Sequence, residues 1–256
     1  MFIKRLSIIF SLIILTLASC KKEDDTLNTE EKGTFALEFE NVVNGSPLVL
    51  NTQTYSNANG DKFNISVFKY YVSNIKLTKS DGSVYAVPES YLLADAAKPE
   101  SLLNSMTNIP VGDYTKISFI IGVDKERNLS GAQTGALDPI HGMFWTWNSG
   151  YIFVKLEGTS PQSTATNNAL TFHIGGIVDP NNTIRTFSTD FNPANPLRIR
   201  TDKKPQLHFK VNAASLFTGK QSVNFATLNF TMGAANSVVV ADNYVNGLFE
   251  LDHIHN

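Results

Sequence analysis

The segment Gln206-Leu207-His208-Phe209-Lys210-Val211 alternates polar and apolar side chains without a break. An extended backbone sends successive side chains to opposite faces, so Leu207, Phe209 and Val211 point one way and Gln206, His208 and Lys210 the other. The segment therefore reads as a half-buried strand, and the same alternation recurs along the chain. Phe35, Leu37 and Phe39 alternate with Thr34, Ala36, Glu38 and Glu40. Phe63, Ile65 and Val67 alternate with Asn64 and Ser66, and Leu170-Thr171-Phe172-His173-Ile174 sets its apolar residues against His173.

Further strands are expected at Thr115 to Ile121, Gly150 to Glu157, Ala169 to Ile174, Thr183 to Asp190, Val223 to Phe230 and Gly247 to His255. Ser80-Asp81-Gly82 supplies a turn that closes a hairpin between Tyr70 to Thr78 and Val84 to Val87. Asp179-Pro180-Asn181-Asn182 and Asn192-Pro193-Ala194-Asn195-Pro196 punctuate the later strands. Helix is expected only in short pieces, at Pro99 to Met106, Ala213 to Phe217 and Asn236 to Ala241. Many short strands between turn clusters define an all-β chain, a sandwich or a barrel. Residues 34–256 contain no low-complexity break, charged linker or internal repeat, and read as a single domain.

The first 19 residues read as an export signal. Lys4 and Arg5 precede an apolar run from Leu6 to Leu17, too short to be read first as a spanning helix. Leu17-Ala18-Ser19-Cys20 resembles a lipobox, so Cys20 is expected to be lipidated and to begin the mature chain, a lipoprotein that meets the membrane through its anchor only. Cys20 is the sole cysteine, which leaves the exported body no disulfide. Residues 20–33 form a tether: Lys21 to Gly33 is charged and too poor in apolar surface to offset its ordering entropy. Its Lys22-Glu23-Asp24-Asp25 run resembles the export signal of surface lipoproteins in Bacteroidetes-type bacteria, which points to the outer membrane, facing the periplasm or the cell surface. Without Lys4 and Arg5 the chain has 19 basic against 23 acidic side chains, a balance unsuited to nucleic-acid capture.

No nucleophile elbow, phosphate loop or dinucleotide fingerprint is present, and a lipidated cysteine cannot serve as a nucleophile. Ser73 and Lys76 have the spacing of a serine–lysine motif but lie in a strand pattern, where that motif needs a helix. Asp124 to Gly135 begins like a calcium loop, but Leu129 stands where the turn glycine belongs and Gly135 where the glutamate belongs. The expectation is a binding protein, not an enzyme.

The five histidines carry more information. His253 and His255 lie two apart in Phe249-Glu250-Leu251-Asp252-His253-Ile254-His255, so in a strand they share one face about 7 Å apart, a spacing suited to two imidazoles on one ion. A polar chain end is the other reading of the pair. His208 reads as a solvent-facing polar residue beside Lys210. His141 sits in a loop next to Gly142-Met143-Phe144-Trp145-Thr146-Trp147, either as a ligand or as a packed ring. In an extended segment Trp145 and Trp147 share a face, with Phe144 and Thr146 on the other.

Several segments together resemble the MbnP-like copper-binding family. They are Gly122-Val123-Asp124, Asn128, the Gly135-Ala136-Leu137-Asp138-Pro139 turn, Gly142 to Tyr151 and Lys155-Leu156-Glu157-Gly158. Lys69 to Ile75 and Phe172-His173-Ile174-Gly175-Gly176 are similar too, so the likeness runs from about Phe35 to His255. The resemblance implies an exported antiparallel β-sandwich with a few short helices. It also implies copper binding, in some members through histidines and a tryptophan oxidised to kynurenine, with dihaem cytochrome c peroxidase-like partners. Carried onto this chain, the tryptophan role falls on Trp145 or Trp147, and the imidazole role on His173, His253, His255 or His141. The competing reading is a surface β-sandwich that binds a glycan or protein, its tryptophans stacking on ligand or filling the core.

Overall fold

The computed structural model describes residues 31–146 and 150–256. The signal segment, Cys20, nearly all of the tether and Trp147 lie outside the described residues. The described residues form two main sheets and a two-stranded ribbon in which Phe144–Trp145 pairs with Gly150–Tyr151. In the smaller, the strand Phe249–His255 lies beside Gln206–Asn212, which lies beside Lys32–Val43; Leu103–Pro110 and the short Ser46–Pro47 also pair with Lys32–Val43. In the larger, the order is Arg185–Asp190, Gly112–Ile121, Lys62–Lys79, Val154–Thr159, Ala169–Ile174 and Phe230–Met232. The 18-residue strand Lys62–Lys79 also carries the short strands Tyr55–Ser56, Val84–Ala86 and Tyr91–Asp95.

Alternation builds the core between the sheets. From the smaller sheet, Phe35, Leu37, Phe39, Leu207, Phe209, Val211 and Phe249 turn inward; from the larger come Phe68, Tyr70, Phe119, Leu156 and Phe172. The two sets meet as aromatic edges: Phe39 with Tyr70 at 5.8 Å, Phe119 with Phe249 at 5.0 Å and Phe119 with Phe209 at 5.9 Å between ring centres. Such T-shaped pairs add about 0.5–1.5 kcal/mol each beyond the area they bury. The fold is all-β and sandwich-like, as expected. The sheets are nevertheless mixed, because Lys32–Val43 runs parallel to Gln206–Asn212 and Ala169–Ile174 runs parallel to Phe230–Met232. The partners in each parallel pair are far apart in sequence, so no local turn signal announces them.

The Ser80-Asp81-Gly82 turn closes its hairpin as expected, with Thr78 opposite Val84 and Gly82 at φ +84°. The Ala213 to Phe217 and Asn236 to Ala241 helices fall on a 3₁₀ turn, Ala213–Leu216, and an α-helix, Ala234–Tyr244. Three expectations fail in whole or in part. Gly150 to Glu157 is two strands, Gly150–Tyr151 and Val154–Thr159, which pair with different partners. Pro99 to Met106 is a 3₁₀ turn only over Pro99–Ser101, and Leu103–Pro110 is a strand on Lys32–Val43. Its buried Met106 and Ile109 lie three apart like helix neighbours because the ladder slips there and Asn108 takes φ +61°. Val223 to Phe230 forms a strand only from Phe230 onward. Val223 and Phe225 are buried from a loop, whose backbone is held by side chains: Asn57 and Asn59 donate to the Val223 carbonyl, Asp61 accepts from the Phe225 N–H and Asn224 from the Ala226 N–H.

The long strand presents its other face as well. Tyr70 and Val72 enter the inter-sheet core, so Tyr71 between them packs on the outer face of the larger sheet, with Val123, Leu137, Met143, Trp145, Tyr151 and Phe153. A bulge at Glu157/Gly158 brings the backbone of Gly158 against the long strand, where a Cβ would sit 2.0 Å from the Asn64 carbonyl oxygen. The substitution Gly158→Ala is therefore expected to cost about 1–3 kcal/mol or more in urea unfolding, an overpacking penalty. An unchanged midpoint would contradict that packing.

Candidate metal centre

The site is built by two neighbouring strands of the smaller sheet. Gln206 pairs with His255, Leu207 with Ile254 and His208 with His253; the register then slips, so Phe209 pairs with Leu251 and Asp252 is left as an extra residue. Phe249 and Leu251 face the core, and unbroken alternation would turn His253 inward after them. The bulge at Asp252 resets the parity: Ile254 packs against the core, while His253 and His255 emerge on the outer face beside His208.

There the three imidazoles converge. One nitrogen from each of His208, His253 and His255 lies within 4.8 Å of the others, a grouping unique among the described His, Cys, Asp and Glu side chains. The His253 and His255 Nε2 atoms are 2.9 Å apart, and the rings of His208 and His253 stack at 4.3 Å. Two imidazole nitrogens bound to one ion at about 2.0–2.1 Å would lie about 3 Å apart, so this pair already has the separation of a shared ion. His208 is half-buried and the other two are exposed.

Polar groups frame the triad. Glu38, the register partner of His208 on the first strand, brings Oε2 to 3.0 Å from His208 Nε2. Gln206 donates from its Nε2 to Glu38 and lies 3.0 Å from His208 Nε2. Asp252 Oδ2 is 2.7 Å from His253 Nδ1, and its Oδ1 is 2.5 Å from Lys210 Nζ. The Lys210 ammonium first, then His253, hold the Asp252 carboxyl below the usual carboxylate range. Burial pushes the His208 imidazole below its ordinary value, outweighing Glu38, and the two neighbouring histidines push the same way. A neutral ring with a free lone pair is what a metal requires, and three such nitrogens suit copper or zinc.

Sequence reading offered His173, His253, His255 and His141 as one donor pool, and the structure divides it. His173 alternates with the core residues Phe172 and Ile174, so it lies on the outer face of the larger sheet, away from the triad. It is buried, with Nε2 2.7 Å from Glu157 Oε1, and Lys155 Nζ lies 3.2 Å from the same oxygen. His141 belongs to that side too: its carbonyl accepts from Lys69 Nζ, and its Nε2 lies 2.9 Å from the Gly135 carbonyl oxygen within its own loop. Trp145 is 5 % exposed and packs on Gly175, where a Cβ would lie 2.8 Å from the indole. It is a core ring, not an open stacking platform. Trp147 lies outside the described residues. The residue that sequence reasoning missed is His208, read as solvent-facing; its parity was legible, but its pairing with His253 was not.

Burial lowers the His173 pKa from its ordinary value, with Glu157 opposing and Lys155 reinforcing. Burial would raise the Glu157 carboxyl, but the hydrogen bond from His173 and the nearby Lys155 outweigh it and leave it lowered. A histidine whose folded pKa lies below its unfolded value disfavours the fold when protonated, so His173 removes stability as pH falls below about 6.5. Imidazole NMR titration is expected to show a depressed His173 midpoint that falls further in Glu157→Gln; a rise in that variant would contradict the ion-pair geometry.

The fold is an all-β sandwich with a three-imidazole cluster on one outer face whose donor atoms could hold a metal ion. The chain belongs to the MbnP family, whose model matches residues 32–237. His208 lies within the matched span, and His253 and His255 lie beyond it. Among solved structures the chain is similar to MbnP from Methylosinus trichosporium, with a TM-score of 0.54 at 14 % sequence identity over 80 % of this chain and 83 % of that one. At that identity the likeness is one of fold. No curated protein sequence matches the chain.

Proposed function

We propose that the chain is an exported, lipid-anchored copper-binding protein that carries the ion as cargo on the His208, His253 and His255 face and has no turnover of its own. The convergence of the three imidazoles carries this reading, and membership of the MbnP family supports copper as the ion. Imidazole serves both oxidation states of copper, and among divalent first-row ions copper binds nitrogen donors most tightly. On this reading the lipobox-like segment at Cys20 supplies the anchor, and the Lys22-Glu23-Asp24-Asp25 run supports an outer-membrane location, toward the periplasm or the cell surface, for metal acquisition or handling. A dihaem cytochrome c peroxidase-like partner acting on Trp145 or Trp147 belongs to the same proposal through the family resemblance.

Isothermal titration and metal analysis of the chain purified without its signal segment test the copper reading. One copper per chain is expected. His208→Ala, His253→Ala and His255→Ala should each weaken binding at least about 10-fold, and His173→Ala should leave it unchanged. Absence of copper binding in both oxidation states, or loss of binding in His173→Ala alone, would sink the assignment.

A further inference from the structure

A neutral imidazole keeps its proton on one nitrogen and offers the other as donor, so whichever group holds the proton chooses the donor atom. For His253 that group is its own neighbour. Asp252 Oδ2 lies 2.7 Å from Nδ1, while Nε2 faces His255 Nε2 at 2.9 Å. Consecutive residues of a regular strand point to opposite faces; only the bulge lets Asp252 and His253 project together. The carboxylate is also fixed from its far side, because Lys210 Nζ reaches its other oxygen at 2.5 Å. Lys210 and His208 lie two apart on one strand, so the clamp and one member of the triad share a rigid segment of ladder.

We propose that Asp252, clamped by Lys210, is a positioning residue for the histidine centre: it holds the proton on His253 Nδ1 and so commits Nε2 to the ion. This rests on the triad as the metal-binding face. A carboxylate behind a ligating imidazole fixes the ring's orientation and raises its basicity, and losing such a partner weakens metal binding by about 10–100-fold. In the metal-free chain, a proton held on His253 Nδ1 means that the proton bridging the two facing Nε2 atoms belongs to His255.

Two measurements on the full mature chain test the assignment. Imidazole ¹⁵N NMR of the metal-free protein, at a pH where His253 is neutral, should show the Nδ1–H form in the wild type and loss of that form in Asp252→Ala. Titration with Cu(II) and with Zn(II) should show binding about 10–100-fold weaker in Asp252→Ala at unchanged stoichiometry, with a smaller loss of the same sign in Lys210→Met. An Nε2–H form in the wild type, or an Asp252→Ala chain with wild-type tautomer and affinity, overturns the proposal. A wild-type chain that binds neither ion overturns the metal reading itself. That failure is told apart because the tautomer is read without metal.

Discussion

The C-terminal strand carries one residue more than its ladder can pair, and that surplus decides which way two imidazoles face. With Phe249 and Leu251 committed to the aromatic core, a regular strand would turn His253 into the sandwich, where a polar ring would need a partner or lose its solvation. The bulge at Asp252 lets the core residues and the histidines both have their faces. The centre is therefore tied to packing. Phe249 touches Phe39, Tyr70 and Phe119 from three different strands, so the register that gathers the histidines is held by the interior.

A sandwich has two outer faces, and this chain uses them differently. The smaller sheet leaves its outer face open at the triad, with charged and amide side chains around three accessible rings. The larger sheet covers its outer face with residues such as Val123, Leu137, Met143 and Phe153, which enclose Trp145, Tyr71 and Tyr151 in a second cluster; the buried His173 and its half-exposed partner Glu157 lie on the same face. Trp145, His141 and His173 thus lie on one side of the core and the His208, His253 and His255 cluster on the other, although the sequence presents them as one constellation. The open face suits exchange of an ion; the covered face suits ring packing and a neutral buried imidazole.

The parity of single strands was legible from the sequence. Alternation in Lys32–Val43, Ala169–Ile174 and Gln206–Asn212 follows from side-chain chemistry alone, and so does the outward direction of His208. Pairing between distant strands was not, because it is settled by which apolar faces fit together. The parallel ladder that sets Glu38 beside His208, and the slip that sets His253 opposite it, each join residues far apart in the chain. Val223 and Phe225 failed for a related reason: two buried residues two apart imitate a strand even when Asn57, Asn59 and Asp61 hold them in a loop. His253 and His255 were placed on one face correctly, yet their third partner depended on a contact that local pattern does not encode.

Anomalous diffraction at the copper edge, from crystals of the copper-loaded chain, addresses the central claim most directly. One strong peak is expected on the outer face of the smaller sheet, within bonding distance of nitrogens from His208, His253 and His255. A peak beside His173 or the tryptophan segment, with none at the triad, would contradict it.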